Sequence, residues 1–473
     1  MISFFRRLLP SRLVALVLLY LAIRVPLLLL GVPDTLPQLR AMLVGERMAE
    51  GYGLYRDIFD TMAPLAAAVY WLIDLAVGRS PLVYQALAGF LILFQGLRLN
   101  VIFTRNEVFP EKSMLAALLY VTMGSLFYEF DLLSPLLIGN TFVLLALGYL
   151  TSISKGAYNT RKLFKAGFML GLAALSYLPL LFFLIIGIFA ILFYASNAFR
   201  SFLLLLCGFA FPYAVVGTYY LYTGALGPFI DFNLISSWGF QLDFLLAPAD
   251  ILRLWMMPLL ILLLAFYRLT TITVGLNYQA KFQQLMFLWL MTGLVVAFSA
   301  QVISAVSLLL FLPAIAYFGV YFFQQKKRVW FTEGIFLALL LAVIVFRYSR
   351  PLGFQQYVGI DSSPLEFAPE PKHEAIREAR ILVLGGELPY YAHNQLATPY
   401  LNWRLAQEHF TSLDEYDSVF RIYRHFAKER PDYIVDEAGL MTELQHKIPE
   451  IFRQYEPTRE PRIYRRIIQS MDE

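Results

Sequence analysis

Apolar residues fill most of the first three-quarters of the chain, in long runs that short polar or basic stretches separate. Eleven of these runs carry few charges, and they cover residues 13–31, 81–103, 114–129, 133–151, 166–178, 179–196, 201–222, 252–267, 284–300, 302–323 and 330–347. A membrane-spanning helix needs about 20 apolar residues, with a range of about 17–25. The pattern therefore predicts a polytopic, all-α membrane domain over residues 1–347, with about eleven transmembrane helices.

One further apolar segment, Pro64–Val77, is too short for a typical span and is closer in length to an interfacial helix. The basic residues of the chain indicate whether this segment crosses the membrane, because cytoplasmic loops carry an excess of Lys and Arg. If this segment does not cross, the basic N-terminus and all the later basic clusters face the cytoplasm. Those clusters are Arg98, Arg105 and Lys112; Lys155, Arg161, Lys162 and Lys165; Arg200; Arg268 and Lys281; and Lys326, Lys327 and Arg328. We therefore predict a juxtamembrane helix there, a cytoplasmic N-terminus with a retained signal anchor, and exoplasmic residues after Arg347.

The residues from 348 to 473 follow a different pattern. Short apolar runs at 381–386, 431–436 and 462–468 predict strands, and apolar positions at helical spacing in 415–430 and 440–452 predict helices. This alternation predicts a small C-terminal α/β exoplasmic domain. The pair Gly385-Gly386 after the first strand indicates a tight turn and not a dinucleotide fingerprint.

Composition and charge support this division. The chain is 59% hydrophobic and 15% charged, whereas soluble domains are about a quarter charged. Residues up to Arg347 contain 23 Lys and Arg against 14 Asp and Glu, or +9, and the later residues have a net charge of −5, which together give the overall +4. Cytoplasmic anchoring loops account for this basic membrane part, so no nucleic-acid partner is expected. All five histidines follow residue 348 and Cys207 is the single cysteine, so the membrane part has no imidazole for metal binding.

Among the charged residues within or next to the apolar runs, three are candidates for function, because charge at membrane depth is costly. Arg24 lies in the first run, where it either snorkels to the headgroups, forms a structural ion pair or contacts a phosphate. Glu129 and Asp131 flank a short turn between two predicted spans. They either end helices at the interface or form part of a site.

A polar, aromatic stretch in the first predicted exoplasmic loop (residues 32–80) reads Gly51-x-x-Leu-Tyr-x-Asp-x-x-Asp-x-x-x-Pro-Leu65. The candidate carboxylates of this loop are Glu46, Asp57 and Asp60, and its candidate arginines are Arg40, Arg47 and Arg56. Carboxylates next to arginines suit a site in which a carboxylate activates a hydroxyl and an arginine binds an anionic leaving group. With the acidic turn, the many spans and the α/β tail, this stretch resembles the GT-C superfamily of membrane glycosyltransferases. The similarity is strongest to its aminoarabinose-transferase and protein-mannosyltransferase-like branches.

This resemblance implies transfer of a sugar from a polyprenyl-phosphate carrier, with a loop carboxylate as base and often a divalent metal ion. The usual acidic dipeptide aligns with Pro37-Gln38 and is missing. The resemblance then implies Asp34 or Glu46 as the base, with Asp131 supporting it. Carrier phosphate would contact Arg24, Arg47 or Arg56, and the site would also include the carboxylates Asp57, Asp60 and Glu129.

Two functions follow from this comparison. The chain is either a lipid-linked glycosyltransferase or a catalytically inactive relative that serves as a scaffold or lipid-binding subunit of a membrane complex. The expected partners are membrane lipid, a polyprenyl-phosphate sugar and other membrane proteins. The expected location is a bacterial inner membrane, with the C-terminal domain in the periplasm.

Overall fold

A computed structural model describes residues 1–33, 35–152, 160–195, 197–238, 244–271, 276–325, 329–353, 355–367 and 370–467, apart from the side chains of residues 160, 355 and 356. Contacts divide the chain into two compact units. The first, here called the membrane unit, contains Met1–Val32, Pro81–Tyr219 and Ser237–Pro364. The second, here called the α/β unit, contains Pro33–Ser80, Tyr220–Ser236 and Leu365–Glu473. The contacts thus group the first loop with the C-terminal segment, whereas the sequence placed one boundary after residue 347.

Helices form the regular secondary structure of the membrane unit's described residues, apart from one isolated bridge between Phe244 and Ile303. Its α-helices are α1 (Ile2–Phe5), α2 (Pro10–Leu30), α5 (Pro81–Arg105), α6 (Leu115–Met123), α7 (Pro135–Thr151), α8 (Thr160–Ser176), α9 (Leu184–Tyr194), α10 (Ala198–Tyr222), α12 (Pro248–Leu269), α13 (Asn277–Ser299), α14 (Leu312–Phe323), α15 (Val329–Tyr348) and α16 (Gln355–Val358). Short 3₁₀ helices cover Tyr128–Asp131, Leu178–Phe183 and Ala305–Leu310. Each of the eleven predicted runs overlaps an α-helix of this set.

Six of the described helices are long and apolar enough to cross a membrane by length and composition: α2, α5, α10, α12, α13 and α15. The other predicted runs form shorter helices, such as α7 and α14, and two of them begin with a 3₁₀ turn. A polytopic helical membrane domain is therefore confirmed. The count of eleven crossings stays a prediction.

Small residues and buried amides hold the helices of the membrane unit together. Gly167 and Gly171 of α8 lie against the backbone of α10, and Gly208 of α10 lies against α8, so closely that a Cβ at any of them would collide with backbone atoms. This is the close packing that small residues allow between membrane helices. Farther along, the Gln95 amide of α5 donates to Leu137 O at 2.9 Å and to Thr141 Oγ1 at 2.7 Å, which joins α5 to α7.

The α/β unit is built around a five-stranded sheet. Its strands are β1 (Arg380–Leu384), β2 (Gln395–Leu396), β3 (Tyr433–Asp436), β4 (Tyr455–Pro457) and β5 (Ile463–Arg466), in the order β2-β1-β3-β5-β4. β1 pairs in parallel with β2 on one side and with β3 on the other. β5 pairs antiparallel with both of its neighbours, β3 and β4. Its helices are α3 (Leu36–Ala49), α4 (Pro64–Val77), α11 (Leu226–Phe229), α17 (Trp403–Thr411), α18 (Tyr416–Lys428), α19 (Met441–Lys447) and α20 (Pro449–Phe452), with a π-helix at Ile230–Ile235.

This sheet confirms the small α/β domain, and α4 has the bounds predicted for the juxtamembrane helix. The predicted helix 440–452 is divided into α19 and α20, because Pro449 has no N–H to continue a helix and begins a new one. The predicted strand at 462–468 is β5, and the short strands β2 and β4 were not predicted.

Phe59 of the first loop belongs to the hydrophobic core of the α/β unit. Its backbone N–H donates to Pro399 O at 2.7 Å, and its carbonyl accepts from the Asn402 N–H at 3.1 Å. The ring packs against Tyr400 at 5.4 Å and His425 at 5.7 Å between centroids. The loop is therefore a structural part of this unit.

Candidate functional site

A buried ion-pair triad occupies the turn between α6 and α7 in the membrane unit. Arg24 Nη2 of α2 lies 2.7 Å from Asp131 Oδ1, and Arg347 Nη2 of α15 contacts Asp131 Oδ2. The side chains of Arg24, Asp131 and Arg347 are 3%, 0% and 0% exposed. Both carboxylate oxygens of Asp131 are thus in contact with a guanidinium group and shielded from solvent.

Further hydrogen bonds join these arginines to backbone carbonyls and to the Tyr20 hydroxyl. Arg24 Nη2 donates to Phe130 O at 3.2 Å, and Arg347 Nε donates to Ile23 O at 3.1 Å. The Tyr20 hydroxyl accepts from Arg24 and donates to Gly89 O at 2.8 Å. A Cβ at Gly89 would lie 3.0 Å from Arg24 Nε, so α5 needs a glycine where the arginine passes.

The loss of any one charge of this triad is expected to destabilise the protein. Breaking a buried ion pair is costly because the remaining charge is left without a partner in a low-dielectric environment. Of the alternatives for Arg24, the structure shows the ion pair. A role for Arg24 in phosphate binding, and for Asp131 in supporting a base, stays a prediction.

Glu129 caps a neighbouring helix. It is 4% exposed, and its carboxylate accepts hydrogen bonds from the Ser304 hydroxyl and from the backbone N–H groups of Ala305 and Val306. These N–H groups begin the 3₁₀ helix Ala305–Leu310, where orphan donors need an acceptor. Burial raises the pKa of Glu129 to about 7, against these hydrogen bonds, which lower it. Its Oε2 has no hydrogen-bond partner among the described residues.

The motif carboxylates of the first loop are paired inside the α/β unit. Asp57 Oδ1 lies 2.7 Å from Lys428 Nζ, and Asp57 Oδ2 lies 2.9 Å from Arg56 and accepts from the Gly53 N–H at 3.0 Å. Burial opposes ionisation, but the hydrogen bonds from Lys428 and Arg56 outweigh it and lower the pKa of Asp57. Asp60 Oδ2 lies 2.6 Å from Arg40 Nε.

Arg47 is the centre of a second buried network. It forms two contacts with the Glu429 carboxylate, and its Nη1 lies 2.7 Å from Glu50 Oε2. Its guanidinium carbon lies 3.5 Å from the centre of the Tyr52 ring, a cation–π geometry. Arg380 Nη1 joins the same Glu429 carboxylate at 3.0 Å. Arg47 is 2% exposed and therefore has little surface to offer a lipid phosphate within this unit.

Glu46 pairs with Arg79, whose guanidinium also donates to the carbonyls of Tyr391 at 2.9 Å and Asn394 at 3.3 Å. Burial raises the pKa of Glu46, Arg79 opposes that change, and the nearby carboxylates of Asp74 and Glu50 add to it. Asp34, the other predicted base, lies outside the described residues.

The described residues contain no group of three or more His, Cys, Asp or Glu side chains that could hold a metal ion. Asp131 does not fit the divalent ion that the resemblance implies, because two guanidinium groups contact its oxygens and would repel a second cation.

Six charged partners in these networks were missed from the sequence. They are Glu50, Arg79, Arg347, Arg380, Lys428 and Glu429. A charge at the end of the last apolar run was a signal for Arg347, since such residues at membrane depth usually pair. Nothing distinguished Lys428 and Glu429 from other charges on an amphipathic helix.

No family model matches the chain, and no curated protein matches it significantly. Among solved structures, it is similar to the archaeal oligosaccharyltransferase AglB from Archaeoglobus fulgidus in complex with an inhibitory peptide and a dolichol-phosphate. That similarity has a TM-score of 0.48 at 12% identity, over 94% of this chain and 72% of the other. An Archaeoglobus fulgidus oligosaccharyltransferase in complex with Zn and sulfate gives a TM-score of 0.44 at 13% identity, over 94% and 71%.

Proposed function

We propose that this chain is a GT-C-like membrane protein that does not transfer sugar, and that it serves as a scaffold or lipid-binding subunit of a membrane complex. The observation that carries the proposal is Asp131. In the resemblance this residue supports the catalytic base, whereas here Arg24 and Arg347 contact both of its oxygens in a buried site. Both oxygens are therefore engaged by guanidinium groups and shielded from an incoming hydroxyl.

The loop residues support the same proposal. Glu46, Asp57 and Asp60 each pair with a basic side chain of the α/β unit. The described carboxylates of the motif therefore stabilise this unit. We place the protein in a bacterial inner membrane, with its N-terminus in the cytoplasm and the α/β unit in the periplasm, on the basis of its basic loops.

Sugar transfer from a polyprenyl-phosphate carrier is the second candidate function. The observation that favours it is Glu129, a buried carboxyl with a pKa of about 7 and one oxygen without a described partner. A general base works best when its pKa lies near the operating pH. In this alternative Glu129 or Asp34 would be the base.

The two candidates are separated by affinity purification from native membranes, followed by a transfer assay with a polyprenyl-phosphate sugar. We expect the full-length protein to retain other membrane proteins and to transfer no sugar. Transfer that is lost in Asp34→Asn or Glu129→Gln, while both variants stay monodisperse, would contradict the proposal. Asp414→Asn is the control, because Asp414 is 93% exposed and pairs only at the surface with Lys447.

A further inference from the structure

Two carboxyl groups meet in the α/β unit where the parallel strands β1 and β3 end. Glu387 lies three residues after β1, and Glu437 directly follows β3. The strands pair in register up to Leu384 and Asp436, so both loops leave the sheet at the same edge. A Cβ at Gly385 would lie 3.0 Å from Glu437 Oε2, and Glu437 shares a hydrogen bond with Glu387. Like charges at this separation disfavour ionisation of both groups, so the pair holds one proton.

The neighbours of the pair determine which carboxyl holds this proton. Lys372 Nζ lies 3.0 Å from Glu387 Oε1 and 2.9 Å from Glu387 Oε2. His373 Nδ1 accepts from the Glu370 N–H at 3.1 Å, so a neutral ring carries its hydrogen on Nε2, which lies 3.2 Å from Glu387 Oε2. These donors favour the ionised form of Glu387. Glu437 therefore carries the proton and donates it to Glu387.

The charges around the pair agree with this assignment. Burial and the hydrogen bond to Glu387 raise the pKa of Glu437 to about 7. Burial favours the neutral form of Glu387, but its hydrogen bonds outweigh this effect and lower its pKa. The other charged and titratable groups that act on the pair, directly or through Lys372, are Lys372, His373, Tyr390, Arg462 and Glu370.

The hydrogen bond connects two loops that are otherwise attached to different parts of the unit. The Glu437 N–H donates to Leu384 O at 3.1 Å, which ties the loop after β3 to the end of β1. Glu387 leads into the 3₁₀ helix Leu388–Tyr391, whose last carbonyl accepts from Arg79 of the first loop at 2.9 Å. A change in the carboxyl pair therefore acts on the segment that holds the first loop.

We propose that Glu387 and Glu437 form a proton-sensitive clasp between the loops after β1 and β3, closed while Glu437 is protonated and weakened when it ionises. Loss of the proton removes the hydrogen bond and places two negative charges side by side. In the orientation proposed above, the clasp senses the pH of the exoplasmic compartment. It depends on neither of the two candidate functions.

Hydrogen exchange of the full-length protein in detergent, measured by mass spectrometry at pH 6 and pH 8, tests the clasp. A pKa of about 7 in the closed clasp and the ordinary 4.5 in the open one predict that opening increases about tenfold between about pH 6 and pH 8. We therefore expect about tenfold faster exchange at the higher pH, after correction for the intrinsic rate, in peptides that cover residues 386–392 and 437–441. Equal corrected rates at the two pH values would overturn the proposal.

Glu437→Gln keeps a hydrogen-bond donor in the clasp and removes its titration. We expect the corrected exchange of both peptides to be the same at pH 6 and pH 8, and as slow as in the wild type at pH 6. The matched control is Glu443→Gln, which removes an exposed carboxylate of α19 and should keep the wild-type pH dependence. A wild-type pH dependence in Glu437→Gln would assign the titration to another group, such as His373, and overturn the proposal.

Glu437→Ala is a second variant that removes the donor altogether. Both peptides should exchange fast at pH 6 and at pH 8, while peptides from β1 and α18 keep their wild-type rates and show that the unit is folded. Slow, wild-type exchange of residues 386–392 at pH 6 in Glu437→Ala would show that the carboxyl pair does not hold the loop. If either variant fails to fold, the pH dependence of the wild type decides the question.

Discussion

The triad around Asp131 and the network around Arg47 use the same chemistry in different surroundings. In the membrane unit, one carboxylate serves two arginines, and all three side chains are at most 3% exposed. In the α/β unit, Arg47 is equally buried, but its partners Glu429 and Glu50 are 11% and 20% exposed. The first cluster has an excess of positive charge, whereas in the second Arg47 and Arg380 balance the partly exposed carboxylates of Glu429 and Glu50.

This difference indicates how much each ion pair contributes to stability. Solvent near Glu429 and Glu50 reduces both the attraction and the cost of losing a partner. Asp131 and both arginines are shielded from solvent, so the loss of the carboxylate leaves two buried guanidinium groups without a counter-charge. Mutations in the Asp131 triad and in the Arg47 network are therefore expected to change the free energy of unfolding by different amounts, although the contacts have similar geometry.

The largest effect is expected for Asp131→Asn. Removing one partner from a buried ion pair costs about 3–5 kcal/mol, and here two arginines lose their partner. We expect a strongly lowered melting temperature in detergent, measured by intrinsic fluorescence, and a loss of monodisperse protein. Asp414→Asn should melt like the wild type. A wild-type melting temperature for Asp131→Asn would show that the triad contributes nothing to stability.

Arg47→Lys should have an intermediate effect of about 1–3 kcal/mol, because an ammonium group cannot reproduce two parallel contacts with Glu429. The loss should be smaller than for Asp131→Asn under the same conditions. Arg380→Lys is the matched control, since Arg380 contacts Glu429 through one nitrogen and is 43% exposed. Equal melting temperatures for Arg47→Lys and Arg380→Lys would show that burial does not determine how much each arginine contributes to stability.

The smallest effect is expected for Glu129→Gln and depends on pH. The folded-state pKa of about 7 is above the ordinary value of 4.5 for a glutamate carboxyl, so the folded protein binds more protons between these values. The contribution of Glu129 to stability is therefore complete below about pH 4.5 and is lost as the pH rises from there through about 7. Glu129→Gln should flatten melting temperature against pH between 5 and 8. An unchanged profile would mean that Glu129 does not titrate in this range.

The sequence predicted the helices of this protein better than their pairings. Runs of apolar residues predicted every helix of the membrane unit except the short α1 and α16. Pro64–Val77 predicted α4, because lipid-facing and interfacial helices need a local pattern. The strand at Tyr433–Asp436 was equally local. The contact of Arg47 with Glu429 was not predictable, since it depends on tertiary packing that no local pattern records.

The resemblance had a similar limit. It identified Asp57, Asp60 and Asp131 as notable, and the structure shows why each is buried or paired. It gave no information about their partners, and these partners change what the carboxylates can do. Arg347, at the end of the last apolar run, was the one partner with a signal in the sequence.

The contact between Arg47 and Glu429 also has a consequence for biosynthesis. These residues are 382 positions apart in the chain, and translation proceeds at about 5–20 residues per second. The first loop therefore waits for roughly 20–80 s before its partners leave the ribosome. During this interval Phe59 and the loop charges lack the C-terminal residues that bury and pair them in the finished unit. The α/β unit can therefore be completed only after every helix between these two segments has been made.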